Sequence, residues 1–133
     1  METLNLLKSR TSSPKKLNKN SKLFKTIIKA ILDKKGEDII SLDLRKISVS
    51  VSDFFVICST NNSTQLKAIA DNIEKELDEV CKERVFKKEG QQSGQWVLLD
   101  YINIVVHVMH TTTRQFYRLE DMWSDADAEH HNI

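Results

Sequence analysis

Five successive apolar residues at positions 54–58 (FFVIC) constrain the fold of this chain more than any other segment. Successive side chains of a strand point to opposite faces of a sheet, so this run predicts a strand that is buried on both faces. The clearest helix of the chain follows, opened by Asn62 and Gln65 in a variant of the capping box. Its apolar stripe has helical spacing and consists of Leu66, Ile69, Ala70, Ile73, Leu77, Val80 and Cys81.

Further helices and strands are predicted on both sides of this unit. Apolar spacing predicts a helix over residues 22–34, with Ser21 as its N-cap and Gly36 as its stop signal. A short helix begun by a threonine is predicted within residues 111–123. Residues 45–52 alternate in polarity, which fits either a strand or a polar connector. The other predicted strands are residues 38–44, 85–89, 96–101 and 104–110, with a tight turn at residues 102–103.

The order of these elements favours an α/β fold, a small mixed sheet of about five strands with helices packed on it. A length of 133 residues fits one domain. We assign residues 21–123 to that domain. Residues 1–20 are predicted to be a disordered basic arm, and residues 124–133 an acidic polar tail.

Charge is divided unevenly along the chain. Residues 1–35 contain ten Lys or Arg against two acids, a net charge of +8, and residues 36–133 contain ten against seventeen, a net charge of −7. The total of +1 excludes a uniformly basic phosphate-binding protein. For the arm, the sequence favours a solvated segment, with contact to RNA phosphate as the alternative. No apolar run approaches the roughly 18 residues that a membrane span needs.

Signatures of catalysis are sparse. The three glycines cannot build a phosphate-binding loop, and no G-x-S-x-G motif occurs. His107 and His110 are three residues apart on a predicted strand and point to opposite faces, which does not favour a shared metal ion. Asp53 and Asp100 each border an apolar strand. Their side chains either bond loop amides at the strand ends, which we favour, or form a catalytic carboxylate pair.

Trp96, Leu98 and Asp100 share one face of their predicted strand, whereas Val97 and Leu99 share the other. A sheet with one solvated face would bury Val97 and Leu99 and expose the tryptophan. An exposed Trp beside a Leu and an acid resembles a protein-binding patch, with an aromatic anchor and a polar rim. The alternative is that the C-terminal helix covers Trp96, and the residues alone leave both interpretations open.

Several segments together resemble the ribosomal silencing factor family, RsfS, also called Iojap. They are SDFFVI with a Ser/Thr-rich cap and LKAIAD, then W-V-x-x-D-Y, VVHV and FYxLExxW, over about residues 22–123. The resemblance implies a fold related to nucleotidyltransferases, without known catalysis and without a cofactor. It also implies binding to the large ribosomal subunit through the ribosomal protein numbered fourteen. Bound there, members of the family block joining of the small subunit and repress translation.

The resemblance also implies a set of contact residues. Trp96, Asp100 and Tyr101 match the W-x-x-x-D-Y strand in or near the ribosomal contact, and His107 lies on the adjacent strand. Leu98, on the face of Trp96, completes the predicted partner-binding set. Asp53 is expected to support this surface rather than to touch the partner. The FYxLE helix contributes Tyr117, Leu119 and Glu120, which the sequence does not divide between core and contact.

Other functions remain as alternatives. Family members in mitochondria and chloroplasts act in large-subunit assembly, and some members form homodimers, so an assembly factor and a homodimeric adaptor are both considered. A nucleotidyltransferase-type enzyme is remote, because Gly94 is followed by Gln95 rather than by Ser, and the strand behind offers only Asp100. The predicted location is the bacterial cytoplasm, with a mitochondrion or plastid as the alternative. Predicted partners are the large subunit, rRNA through the basic arm and a second copy of the chain, without a membrane.

Overall fold

A computed structural model describes residues 21–47 and 52–131. Within them the helices are α1 (Lys22–Asp33), α2 (Ser63–Cys81), α3 (Thr111–Tyr117) and α4 (Leu119–Met122). The strands are β1 (Glu37–Asp43), β2 (Phe54–Thr60), β3 (Lys87–Glu89), β4 (Trp96–Asp100), β5 (Ile104–His110) and β6 (Asp127–His130). The predicted arm at residues 1–20, and residues 48–51 of the alternating segment, lie outside the described residues.

The strands of the described residues form one mixed sheet in the order β3-β4-β5-β2-β1-β6. Its centre is the parallel pair β2 and β5, and every other neighbouring pair is antiparallel. Parallel strands are normally covered on both faces, and every residue of β2 is buried except Phe55, which is half-buried. The predicted α/β fold and the buried strand at residues 54–58 are therefore confirmed, with one strand more than expected.

Two hydrophobic clusters cover the two faces of the sheet. The larger lies under α1 and α2, and it includes Phe24 and Ile31 from α1 and Ile69 and Leu77 from α2. The smaller lies on the opposite face under the C-terminal segment, and its buried members are Ile40, Leu42, Leu44, Ile57, Met109 and Leu119. Burial of a Leu or Ile side chain stabilises the fold by roughly 1.5–3 kcal/mol. The cluster under α1 and α2 has more buried members than the other, so it provides most of the hydrophobic stabilisation.

Side-chain caps fix where α1 and α2 begin. The Phe24 N–H donates to Ser21 Oγ at 3.1 Å, which confirms the predicted cap of α1. The Gln65 N–H donates to Asn62 Oδ1 at 3.0 Å, which confirms the start of α2. The Gln65 side chain donates to the carbonyls of Lys34 at 3.0 Å and Lys35 at 3.2 Å. The start of α2 is thereby bonded to the end of α1.

Position 36 needs a residue without a side chain. The chain leaves α1 after Asp33, and the Gly36 N–H then donates to the Ile31 carbonyl at 3.0 Å. A Cβ at this position would overlap Ile31 Cγ2 and lie 3.4 Å from Ile69 Cδ1. The predicted stop signal thus reflects the close approach of the chain to both helices.

The C-terminal end differs from its sequence prediction. The sequence predicts a polar tail over residues 124–133, whereas β6 pairs antiparallel with β1 as an edge strand of the sheet. Main-chain hydrogen bonds to β1 hold β6 in place. The residue after β6, His131, adds one more, since its N–H donates to the Ile39 carbonyl at 2.8 Å. His131 Nε2 is also hydrogen-bonded to Ser41 Oγ at 2.7 Å, and its ring stacks edge-on against Phe24.

The predicted helix within residues 111–123 is divided into α3 and α4. The break lies at Arg118, which adopts a left-handed conformation with φ of 50°. The first helical residue of α3 is a threonine, Thr111, as predicted, and the residue before it takes the N-cap position. His110 fills this position, and its Nδ1 accepts a bond of 3.3 Å from the Thr112 N–H.

Two aspartates hold the turn between β4 and β5. Asp100 Oδ1 accepts from the Ile102 N–H at 2.8 Å, and Asp53 Oδ2 accepts from Asn103 Nδ2 at 3.0 Å. These bonds confirm the interpretation in which both carboxylates secure a loop at strand ends. Within the turn, Ile102 adopts φ of 72°, a conformation that is unfavourable for a β-branched side chain.

Replacing Ile102 with glycine is expected to stabilise the protein. A left-handed conformation costs an L-residue roughly 1–2 kcal/mol, and the greater freedom of glycine in the unfolded chain offsets part of the gain. We expect Ile102→Gly to raise the free energy of unfolding by about 1 kcal/mol in urea titrations, and Ile102→Asn by less, since Asn tolerates this conformation. Loss of stability in both variants would contradict the presence of strain at this turn.

Candidate functional site: an aromatic row on the sheet

The two faces of β4 divide its side chains as predicted. Val97 and Leu99 are buried in the cluster under α1 and α2. Trp96 and Leu98 lie on the opposite face, where both remain partly exposed. Among the described helices, only the short α3 and α4 lie over this second face, so it is the part of the sheet that can offer apolar side chains to a partner.

The ring of Trp96 is partly covered and partly accessible, so it is neither fully exposed nor fully covered by the C-terminal segment. Its centroid lies 5.3 Å from the ring of Tyr117, the last residue of α3. Its Nε1–H donates to His107 Nδ1 at 3.1 Å. The C-terminal segment and the sheet hold the indole in a fixed orientation while part of it stays at the surface.

His107 lies beneath Trp96 and is 4% exposed. Because the indole N–H is only a donor, His107 Nδ1 accepts, and the neutral imidazole carries its proton on Nε2. Within the described residues Nε2 is buried without a hydrogen-bond partner. Burial lowers the pKa of His107 to about 4, although the carboxylate of Asp100 opposes this shift. The histidine is therefore a neutral support for the tryptophan at pH 7.

A continuous series of rings crosses this face. Neighbouring ring centroids lie 4.8–5.9 Å apart, within the range of favourable aromatic contacts. We call this series the aromatic row; in spatial order it consists of Phe116, Tyr117, Trp96, His107, Phe55 and Trp123. Phe116 is 78% exposed and Tyr117 is 54% exposed, whereas His107 at the centre is buried.

The structure divides the FYxLE segment between core and surface, which the sequence could not do. Leu119 is buried in the smaller cluster, and Tyr117 is exposed at the row. Glu120 accepts from Arg114 Nε at 3.1 Å. Arg114 Nη1 also donates to the Asp38 carbonyl at 2.6 Å and to Ser59 Oγ at 3.1 Å. This network attaches α3 and α4 to the sheet and so positions the exposed rings of α3.

Tyr101 lies apart from the other predicted contact residues. It is 7% exposed and belongs to the cluster under α1 and α2, on the face opposite Trp96. Burial raises the pKa of its hydroxyl, and the nearby carboxylates of α2 and the segment after it raise it further. Asp100 is also 7% exposed, with its carboxylate directed to the turn. The accessible members of the predicted set are thus Trp96 and Leu98.

The sequence prediction misses several residues of this surface. Phe116 and Trp123 form an aromatic cluster with Tyr117 in the sequence, but of these three only Tyr117 is in a predicted set, that of the supporting residues. Met122, which is 72% exposed on α4, and Arg114 have no predicted role. The spacing of FYxLExxW is the available signal, but the break after Tyr117 decides which of its side chains face outward.

The remaining candidate groups do not form a reactive site in the described residues. Cys58 is buried, and burial raises the pKa of its thiol to about 12, so the reactive thiolate is scarce at neutral pH. No group of three or more His, Cys, Asp or Glu in residues 21–47 and 52–131 is placed to hold a metal ion. Among the described helices, none has the length and apolar character needed to cross a membrane.

The lowered pKa of His107 predicts a pH dependence of stability. Between its ordinary pKa of 6.5 and the folded value of about 4, the unfolded chain binds a proton that the folded protein does not. The stability that the neutral histidine contributes is therefore fully present above pH 6.5 and is lost as the pH falls toward 4. Over this range the free energy of unfolding decreases by at most about 1.4 kcal/mol per pH unit. Urea titrations between pH 7 and pH 4 should show a steeper loss in the native protein than in His107→Gln. Parallel curves for the two proteins would contradict a buried neutral imidazole.

Comparison with known proteins identifies relatives over most of the chain. The family model described as ribosomal silencing factor during starvation, RsfS, matches residues 17–133. The ribosomal silencing factor RsfS of Halalkalibacterium halodurans is 38% identical over 107 residues, which cover 80% of this chain and 90% of the relative. That of Bacillus subtilis is 45% identical over 94 residues, covering 71% and 78%. A crystal structure of a Chromobacterium violaceum protein aligns with a TM-score of 0.73 at 35% identity, covering 77% of this chain and 83% of that one.

A more distant relative comes from mouse. The protein named mitochondrial assembly of ribosomal large subunit protein 1 is 31% identical over 75 residues, which cover 55% of this chain and 33% of the relative. The family match spans most of the chain and every described element of the sheet. This chain therefore belongs to the ribosomal silencing factor family, RsfS, a family of translation regulators that act on the ribosome.

Proposed function

We propose that this protein binds the large ribosomal subunit through the intersubunit ribosomal protein numbered fourteen, and that the bound protein blocks joining of the small subunit. The single observation that carries the proposal is the aromatic row, whose outer rings Phe116 and Tyr117 are exposed on a fixed support. Family membership supplies the ribosome as the partner. The bacterial relatives support action in the cytoplasm of a bacterium.

The aromatic row has the properties of an interface centre. Binding energy at protein interfaces concentrates in a few aromatic and Arg side chains that are held rigidly and lose water on contact. Trp96 is oriented by its bond to His107, so little rotamer entropy is lost when a partner covers it. Leu98 and Met122 add apolar area beside the row. Asp100 serves this surface by holding the turn after β4.

Steric exclusion is a sufficient mechanism of silencing. A chain of this length folds to a radius of gyration of roughly 14 Å, so a docked copy occupies a volume that the small subunit would need. The action requires neither turnover nor a cofactor. An interface of roughly 1,200–2,000 Å² would give stable binding.

Charge favours the same partner. Residues 36–133 carry a net charge of −7, which suits a basic ribosomal protein. Such complementarity raises the association rate and orients the encounter more than it adds affinity. The basic arm at residues 1–20 is proposed to contact nearby rRNA.

A role in large-subunit assembly is the second candidate, because the mouse relative is named for that process. The same docking would serve both roles, since a factor bound to the large subunit can either shield it from the small subunit or accompany its maturation. The two roles can be distinguished by whether the bound protein prevents mature subunits from joining.

Co-sedimentation with separated ribosomal subunits tests the proposed function directly. We expect the purified protein to bind the large subunit and not the small one, and to reduce the fraction of joined ribosomes when it is added before the small subunit. Binding without any effect on joining would support the assembly role. Binding to neither subunit would contradict both.

Two Phe→Ala variants form a matched test of the interface. Phe116 is 78% exposed in the aromatic row, whereas Phe86 is 41% exposed outside it. Phe116→Ala should weaken large-subunit binding by about 2 kcal/mol, as expected for an aromatic anchor, with an unchanged melting temperature. Phe86→Ala should bind as the native protein does. Equal binding by both variants would remove the row from the interface.

Trp96→Ala is a less direct probe. It would remove an indole that packs against the smaller cluster and would leave His107 Nδ1 buried without its donor. We expect it to lower both binding and the free energy of unfolding, the latter by about 1–3 kcal/mol. Trp96→His would test whether a ring N–H at this position restores stability without restoring binding.

A further inference from the structure

The outer surface of α1 carries a row of lysines. Lys22, Lys25 and Lys29 are all exposed, and at 100° per residue they fall within about 60° of arc on the helix. At a rise of 1.5 Å per residue the row extends over about 10 Å. Two further exposed lysines, Lys34 and Lys35, lie just beyond the helix end. We call these five residues the lysine row.

Most of these ammonium groups take part in no ion pair within the described residues. Lys22, Lys25, Lys34 and Lys35 form no ion pair with another described residue. The Nζ atom of Lys29 lies 2.9 Å from a carboxylate oxygen of Asp33, in a pair that is exposed on both sides. In residues 21–35 the net charge is +4, five lysines against one aspartate, whereas residues 36–133 total −7. Of these two segments, only the one that contains α1 carries a net positive charge.

The lysine row lies away from the aromatic row. α1 packs on the face of the sheet that carries Val97 and Leu99, and Trp96 lies on the opposite face. A partner on one row does not cover the other. The two surfaces can be occupied together, and each can be altered without touching its counterpart.

We propose that the lysine row binds the phosphate backbone of RNA. Nucleic acid presents negative charges at regular spacings of a few ångströms, which a row of lysines can neutralise with release of counterions. If the proposed docking on the large subunit is correct, this RNA is the rRNA beside the docking site.

Two other acidic partners fit this surface less well. A membrane-binding helix inserts its apolar side into lipid, but the apolar side of α1, which includes Phe24, Ile27 and Ile31, is buried in the core. Protein interfaces are depleted in lysine and enriched in aromatic anchors, and the exposed residues of α1 contain no aromatic side chain. A surface of lysines without an aromatic anchor suits a phosphate backbone.

The test compares two triple variants of the full chain with the same change in net charge. Lys22→Gln, Lys25→Gln and Lys29→Gln together remove the helical part of the row. The control variant changes three exposed lysines of α2 and its C-cap, and it consists of Lys67→Gln, Lys75→Gln and Lys82→Gln. The probe is an isolated rRNA hairpin, with polyglutamate as a second anionic polymer, and binding is measured over a range of salt concentrations.

We expect the α1 variant to reduce the slope of log K against log salt by about 2–3, close to one for each phosphate that is no longer neutralised, and the α2 variant to leave it near the native value. Asp33→Asn should strengthen RNA binding, because it frees Lys29 and removes an acid from the lysine row. Equal slopes for the two triple variants, or equal affinity of the native protein for polyglutamate and the hairpin, would overturn the proposal.

Large-subunit binding separates this proposal from the function proposed above. Phe116→Ala should lose affinity for the subunit but keep native affinity and salt slope for the isolated hairpin. A protein that binds the hairpin through α1 but never binds the subunit would contradict the docking and support the RNA site. A protein that binds the subunit with native salt dependence after removal of the three α1 lysines would contradict the RNA site alone.

Discussion

The parallel pairing of β2 with β5 is the constraint on which the rest of this structure depends. Parallel strands require a long crossover, which here contains α2, and their two faces both need cover. One face receives α1 and α2 and becomes a deep core. The other receives α3, α4 and a few partly buried side chains. The shallow cover of this second face leaves apolar side chains at the surface beside a rigid sheet.

A buried histidine is tolerated in this sheet because its neighbour supplies a donor. His107 occupies a buried position in the register of β5, opposite Ile57 on β2 and Leu98 on β4. An unpaired polar group at this depth would cost the fold about 1–3 kcal/mol. The Trp96 N–H satisfies one ring nitrogen, and the same bond holds the indole in one orientation. Burying His107 therefore costs the fold some stability, but it fixes the orientation of the Trp96 ring, as is expected of a binding surface.

Elements stabilised by side chains are predictable from this sequence, and elements stabilised by the main chain are not. The stripes of α1 and α2 and the caps Ser21 and Asn62 depend on residue types, and the structure confirms them. β6 has the sequence DAEH, in which every residue is exposed, and it is held by main-chain bonds to β1 that leave no periodic signal in the sequence. Tyr101 illustrates a second limit. The alternation of the strand continues through Tyr101 and places it with Val97 and Leu99, where the structure has it, so the contact role that the resemblance implied conflicts with the strand pattern.

The separation of charge and aromatic residues onto different surfaces follows from the same asymmetry of the sheet. α1 lies over the deep core, so its apolar residues are used for packing and its outward positions are free to carry lysine. On the shallow face, the side chains that lie against the sheet are largely aromatic rings. One surface suits a phosphate backbone and the other a folded protein. A ribosome offers both kinds of partner, so a domain of this size can be oriented by two independent contacts, which a single patch could not achieve.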